Sequence, residues 1–177
     1  MVEDSPSEDG KIILAGHRGC GKSTLLYEFK RKLDDRYFVV FFSISDMIEM
    51  SDVNHVNILF SIAVQMMSEA EAQNLTIKDS IKKSFYQWFT EQIRTETNQA
   101  DATIETGFNF SSLLAHIKGI LKINSTIREE IKQKYERRIN DLVAQINIIA
   151  SAIESQSQKK ILVIVDDIDK IDLAQVR

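Results

Sequence analysis

The chain has 177 residues, 44% of them hydrophobic and 27% charged, which suits one domain with a real core and excludes a fibrous or disordered chain. Twenty-two Lys+Arg against 26 Asp+Glu give a formal charge of −4, so no global attraction draws it to nucleic acid or to an anionic membrane. Apolar runs such as Ile161–Val165 stop at five residues, far short of the roughly 20 that a membrane-spanning helix needs.

Residues 1–10 are acidic, carry no basic residue and read as a disordered start. They lack the basic-then-apolar opening of a secretory signal, and a cytoplasmic chain is expected. Lys11–Ala15 is a short apolar run ending at a glycine-rich turn and reads as a first buried strand. Helix is expected from Ser23 or Thr24 to Leu33, with Leu25, Leu26, Phe29 and Leu33 on one side. Tyr37–Ile44 is aromatic and β-branched and reads as a second buried strand. One proline and six glycines in the whole chain then allow long helices. Val56, Leu59, Phe60, Ala63 and Met66 or Met67 mark one, and Ile77, Ile81, Phe85, Trp88 or Phe89 and Ile93 another. Tyr86, Trp88 and Phe89 read as core side chains of that helix rather than as a base-stacking platform. Thr95–Gly107 reads as loop, and Phe110–Leu121 as helix.

From Ile127 to Ile153 the apolar residues recur at steps of 4, 4, 4, 3, 4, 3 and 4. This predicts one straight helix of some 30 residues, about 45 Å long, opened by a Thr126/Glu129 capping box. Its basic start (Arg128, Lys132, Lys134, Arg137 and Arg138) is interleaved with Glu129, Glu130 and Glu136, which predicts a solvated, internally paired face. Ile161–Val165 is a third buried strand running into Asp166 and Asp167. Strand–helix–strand, several helices, then strand is an α/β order.

Gly16-His17-Arg18-Gly19-Cys20-Gly21-Lys22-Ser23 fits G-x-x-x-x-G-K-[S/T], between an expected strand and an expected helix. Polyphosphate is a dense anion, and successive backbone N–H groups wrapped around it supply many donors at once. Glycine at 16, 19 and 21 permits the backbone angles and the close approach. The helix that starts at Lys22-Ser23-Thr24 points its positive end at the phosphates. Lys22 adds a full charge, and Ser23 offers a hydroxyl to Mg²⁺. His17, Arg18 and Cys20 occupy the variable positions, and His17 reads as a solvated loop residue rather than as a γ-phosphate sensor. Cys20 has no base placed to activate it, and as the single cysteine it excludes an internal disulfide.

Beside such a loop, an apolar strand ending in carboxylates has a chemical purpose. Mg²⁺ on phosphates takes hard oxygen ligands, which assigns Asp166 to the metal. A second carboxylate orients and deprotonates the attacking water, which assigns Asp167, with Asp169 as its rival.

Together these residues resemble the Walker A and Walker B motifs of P-loop NTPases. Asp166-Asp167-Ile168-Asp169 lacks the D-x-x-G of a GTPase. Val165-Asp166-Asp167-Ile168-Asp169-Lys170 resembles instead the additional-strand ATPases, in particular AAA+/STAND-type and origin-recognition-like ones. Those relatives usually carry Glu where Asp167 stands. The resemblance implies a three-layer core with a parallel sheet in the order 5-1-4-3-2, and a nucleotide-driven switch for a larger machine. Only strands one to three are legible, so an N-terminal piece of a longer protein is expected. The core would comprise residues 11–45 and 160–177, with residues 46–159 as a helical insertion. Without strand four, strand one is expected either to pair directly with strand three or to recruit another chain. The expected ligands are ATP and Mg²⁺. The expected partners are a second copy or a downstream effector domain. The rival readings are a nucleotide-binding module without hydrolysis and a P-loop kinase, for which no Arg-rich lid is visible.

Overall fold

The computed structural model describes Gly10, residues 12–17, 19–92 and 110–168, with the side chains of Tyr86 and of residues 88–92 outside that description. Helix α1 runs Lys22–Leu33, and its last turn carries Lys30, Arg31 and Lys32, which suit the negative end of the helix. Strand β1 follows at Tyr37–Ser43. A short helix α2 (Ile44–Met47), a 3-10 turn (Met50–Asp52) and helices α3 (His55–Ala72), α4 (Asp79–Gln92), α5 (Phe110–Ile123), α6 (Ser125–Glu136) and α7 (Ile139–Ser157) lead to strand β2 (Lys160–Asp166).

The two strands are parallel neighbours, in register from Tyr37 opposite Lys160 to Ser43 opposite Asp166. Alternation along β1 gives it two differently covered faces. Phe38, Val40 and Phe42 join a core made with Ile44, Met47, Phe60, Met67, Ile117, Ile131, Ile149 and Ile153. On the other face Phe41 meets Tyr27 of α1 edge-to-face, with ring centroids 6.3 Å apart. The sheet therefore lies between α1 and a helical layer. Within that layer α3 is central, packing against α5, α6, α7 and β1. Lys82 pairs with Glu71 and stands 5.1 Å from the Phe110 ring centre, which ties α4 to α3 and α5.

Four sequence expectations change. Ile12–Ala15 forms no strand, and Ile13 is 93% exposed. A strand needs a neighbour for its N–H and C=O groups. In the expected 5-1-4-3-2 order the first strand lies between strands five and four, neither of which is among the described residues. The direct pairing of strand one with strand three is not formed either: β2 is bonded to β1. The adjacency of strands two and three, by contrast, is what that order requires.

The 30-residue helix is two helices, α6 and α7, separated by a turn in which Arg138 leaves helical angles at φ −133 and ψ 33. Both halves pack on α3. Eighteen residues make α3 about 27 Å long, whereas a straight rod over α6 and α7 would be about 50 Å. The chain must turn to keep both halves on α3.

The start of α6 is capped by Asn124, whose side chain accepts from the Ile127 N–H at 3.1 Å, and not by a Thr126/Glu129 box. Asn124 stands one residue ahead of the helix, where an N-cap belongs.

Arg128 leaves the expected solvated face altogether and is 1% exposed. Its guanidinium donates to Asp52 from Nε at 2.9 Å and from Nη2 at 2.5 Å. Nη1 donates to the carbonyls of Leu121 and Lys122 at 2.7 and 2.9 Å. Those carbonyls belong to the last turn of α5, so one side chain caps α5 and binds it to the 3-10 turn. Lys132 keeps a local partner in Glu129, and Arg138 one in Asp141.

Breaking this hub has a predictable cost. Arg128→Met keeps the apolar stem but strands a buried and a partly buried carbonyl and Asp52, and should destabilise the fold by about 2–3 kcal/mol. Asp52→Asn should cost less, because Asp52 is 35% exposed. Urea unfolding of the two variants measures both.

Lys118, on α5, donates to Ser68 Oγ of α3 at 2.6 Å. Burial pushes its pKa below the ordinary 10.5, with nearby Glu69 partly opposing. Between the lowered value and 10.5 the unfolded chain holds the proton and the folded chain does not, so stability rises with pH there. Lys118→Met should lack that rise. Parent and variant unfolding curves at a series of alkaline pH values test it.

Candidate functional site

The loop from Gly16 to Gly21 enters α1 without a side-chain cap and with no acid in the first turn. Gly19 and Gly21 have φ of +83° and +86°, and a Cβ on either would meet nothing within 4 Å. Space is therefore not what requires glycine at these positions. The left-handed backbone is, since it costs other L-residues roughly 1–2 kcal/mol. Within the loop the Cys20 N–H donates to the His17 carbonyl at 3.2 Å. Lys22 Nζ folds back and donates to the Gly16 and His17 carbonyls at 2.9 and 3.2 Å. Its ammonium is thus held over the loop by backbone oxygens. Ser23, Thr24 and Cys20 are exposed, and Arg18 lies outside the described residues.

The acids stand at the far end of β2. Asp166 is its last residue, opposite Ser43, and one of its oxygens accepts from the Asp167 N–H at 2.8 Å. Asp167 has φ +65°, a region that Asp and Asn tolerate better than most residues. That turn carries its carboxylate toward the end of β1. There Ser43 Oγ donates to Asp167 Oδ2 at 2.8 Å, and Ser45 Oγ does so at 3.5 Å. The two hydroxyls are 2.7 Å apart. Asp169 lies outside the described residues.

The orientation of α1 relates the two halves. Lys159 Nζ, just before β2, donates to the Asp34 carbonyl at the end of α1 at 2.6 Å. The C-terminal end of α1 thus meets the N-terminal end of β2, and α1 packs against both strands. It runs opposite to them, so its N-terminal end and the loop point to the end of the sheet where Ser43, Asp166 and Asp167 lie. Twelve residues of helix are about 18 Å and seven of strand about 23 Å, comparable lengths. Two clefts in the helical layer, one around Ile81 and Ile148 and one around Asp52 and Arg128, touch neither loop nor acids.

Sequence reasoning missed Ser43 and Ser45. The available signal was register: in a parallel pair, the polar residue after the apolar run of β1 falls beside the acids after the apolar run of β2.

A phosphate loop opening a helix that covers a parallel sheet, with acids at the sheet's carboxyl end, defines the class of P-loop NTPase domains. The sequence profile of the KAP family P-loop domain matches residues 1–177, and the chain belongs to that family. No curated protein and no solved structure matches it.

The donors present suit Mg²⁺ held mainly by phosphate. Among the described residues no three His, Cys, Asp or Glu side chains gather as a metal cage. Mg²⁺ in nucleotide sites takes one or two protein oxygens and fills the rest with phosphate and water. Among the described residues no helix is long and apolar enough to cross a membrane.

Proposed function

We propose that this P-loop domain binds ATP with Mg²⁺ and hydrolyses it, as a switch within a larger assembly. The observation that carries the reading is the loop itself: two left-handed glycines running straight into an uncapped helix at Lys22. Backbone donors, a helix N-terminus and a lysine then converge on one polyphosphate. Gly16, His17, Arg18, Gly19, Cys20, Gly21, Lys22, Ser23 and Thr24 form the cradle. Lys22 exchanges its two carbonyl partners for phosphate oxygens. Ser23 and Asp166 hold the Mg²⁺, whose bound charge neutralises the polyphosphate. Asp167 is the base for the attacking water, and Asp169 its rival. Val165-Asp166-Asp167 after an apolar strand favours the additional-strand ATPase division, near the AAA+ and STAND groups. Residues 46–159 are read as an elaboration built on the core, offering a surface to a second copy or an effector domain.

A second reading, nucleotide binding without hydrolysis, draws support from the hydrogen bond of Asp167 to Ser43, which occupies the proposed base.

Lys22→Ala should abolish Mg·ATP binding by calorimetry while moving ligand-free stability by less than about 0.5 kcal/mol, since the side chain packs little. Equal affinity in parent and variant would remove the phosphate-loop reading. Asp167→Asn should bind ATP normally and lose roughly 10²–10⁴ in turnover, because an amide accepts no proton from water. Normal turnover in that variant with loss in Asp169→Asn would reassign the base.

A further inference from the structure

The larger of the two clefts away from the loop, about 460 Å³, lies between α7 and the connection from α3 into α4. Small-molecule sites occupy roughly 300–1,000 Å³. Small side chains leave the space open: Ser151, Ala152 and Ser155 fall within about one turn of α7 and line one side of it. Its apolar lining is Ile77, Ile81, Ile148 and Ala152. Ile77 is buried, whereas Ile148 stays 48% exposed, so an aliphatic chain laid along the cleft takes apolar surface out of water.

The polar lining selects by charge. Ser151 and Ser155 bring neutral hydroxyls, and Lys78 is the only charged residue in the lining. Lys78 is exposed, and among the described residues none pairs with its ammonium. Asp79, the next residue, does not line the cleft. An apolar wall, one unpaired cation and no acid to repel an anion complement a molecule with an aliphatic body and a single negative head. We propose that this cleft is a binding site for a medium-chain alkyl carboxylate, with the chain over Ile77, Ile81, Ile148 and Ala152 and the carboxylate on Lys78 Nζ. The cleft touches neither the phosphate loop nor the acids after β2, so the inference stands apart from the ATP reading.

The test is calorimetric titration of the full chain with octanoate, decanoate and decanol, for the parent, Lys78→Gln and Ser151→Phe. A buried methylene is worth roughly fourfold in affinity, so decanoate should bind about tenfold tighter than octanoate. Lys78→Gln should weaken decanoate about tenfold and leave decanol within about twofold of the parent, because only the carboxylate uses the ammonium. Ser151→Phe fills the cleft and should weaken decanoate and decanol alike, by about tenfold or more. Lys78 and Ser151 are both exposed, so both variants should unfold at the parental urea concentration. If Ser151→Phe does not, Ser155→Phe fills the same cleft from the next turn and replaces it. Equal binding of octanoate and decanoate by the parent, or of decanoate by the parent and the filled variant, overturns the site. Equal loss of decanoate and decanol in Lys78→Gln overturns the carboxylate assignment. If the parent is a dimer in solution and Ser151→Phe a monomer, a second copy occupies the cleft and the proposal fails.

Discussion

A parallel pair of strands aligns its two carboxyl ends, and in this protein that alignment organises the acidic end of the candidate site. Pairing Tyr37 with Lys160 through to Ser43 with Asp166 sets the last residue of one apolar strand against the first acid of the other. A slip of one residue would turn Phe38, Val40 and Phe42 off the core face and take Ser43 from its place beside the acids. Core packing and site geometry therefore fix the same register. The helical segment between the strands must return the chain to Lys160 in that register, and its first turn already contributes Ser45 to the contact with Asp167.

The two faces of the sheet are stabilised unequally. On one face, Phe38, Val40 and Phe42 merge with the buried side chains of α2 to α7, and Arg128 bolts the 3-10 turn to the end of α5. On the other face α1 buries no residue completely, and Leu25, Tyr27 and Phe29 keep much of their surface exposed. Local opening free energies follow buried apolar contact. The helical layer thus carries most of the buried apolar contact of the described residues. Helix α1 carries the least.

Legibility in the sequence followed how local each signal was. Strands at 37–43 and 160–166 and helices at 22–33, 55–72, 79–92 and 110–123 were readable because the period of burial sits within each segment. The phosphate loop was readable because its glycines answer a local backbone demand. The break at Arg137–Arg138 was not, since no glycine or proline marks it and the apolar spacing continues across it. The length of α3 imposes that turn, and no window of sequence around residue 137 contains α3. Arg128 was misread for the same reason. Its neighbours offer glutamates at helix-pair spacings, yet its acidic partners stand more than 70 positions away, at Asp52 and Glu49. Ile12–Ala15 failed in the opposite sense: the apolar pattern is sound, but a strand is a property of a pair.

The same distinction bears on the two acids. An apolar run followed by Asp-Asp tells which residues are available for metal and base, but not which way each carboxylate faces. Direction comes from backbone angle and neighbour: Asp167 at φ +65° turns toward β1 and meets Ser43 and Ser45. A glutamate at 167 would meet two obstacles, a left-handed backbone that favours Asp and Asn and one methylene too many for the distance to Ser43. The short acid, the positive φ and the serine pair form a consistent set. Asp at this position is thus explained by the serines that hold it, whereas the motif alone explains only an acid after the strand.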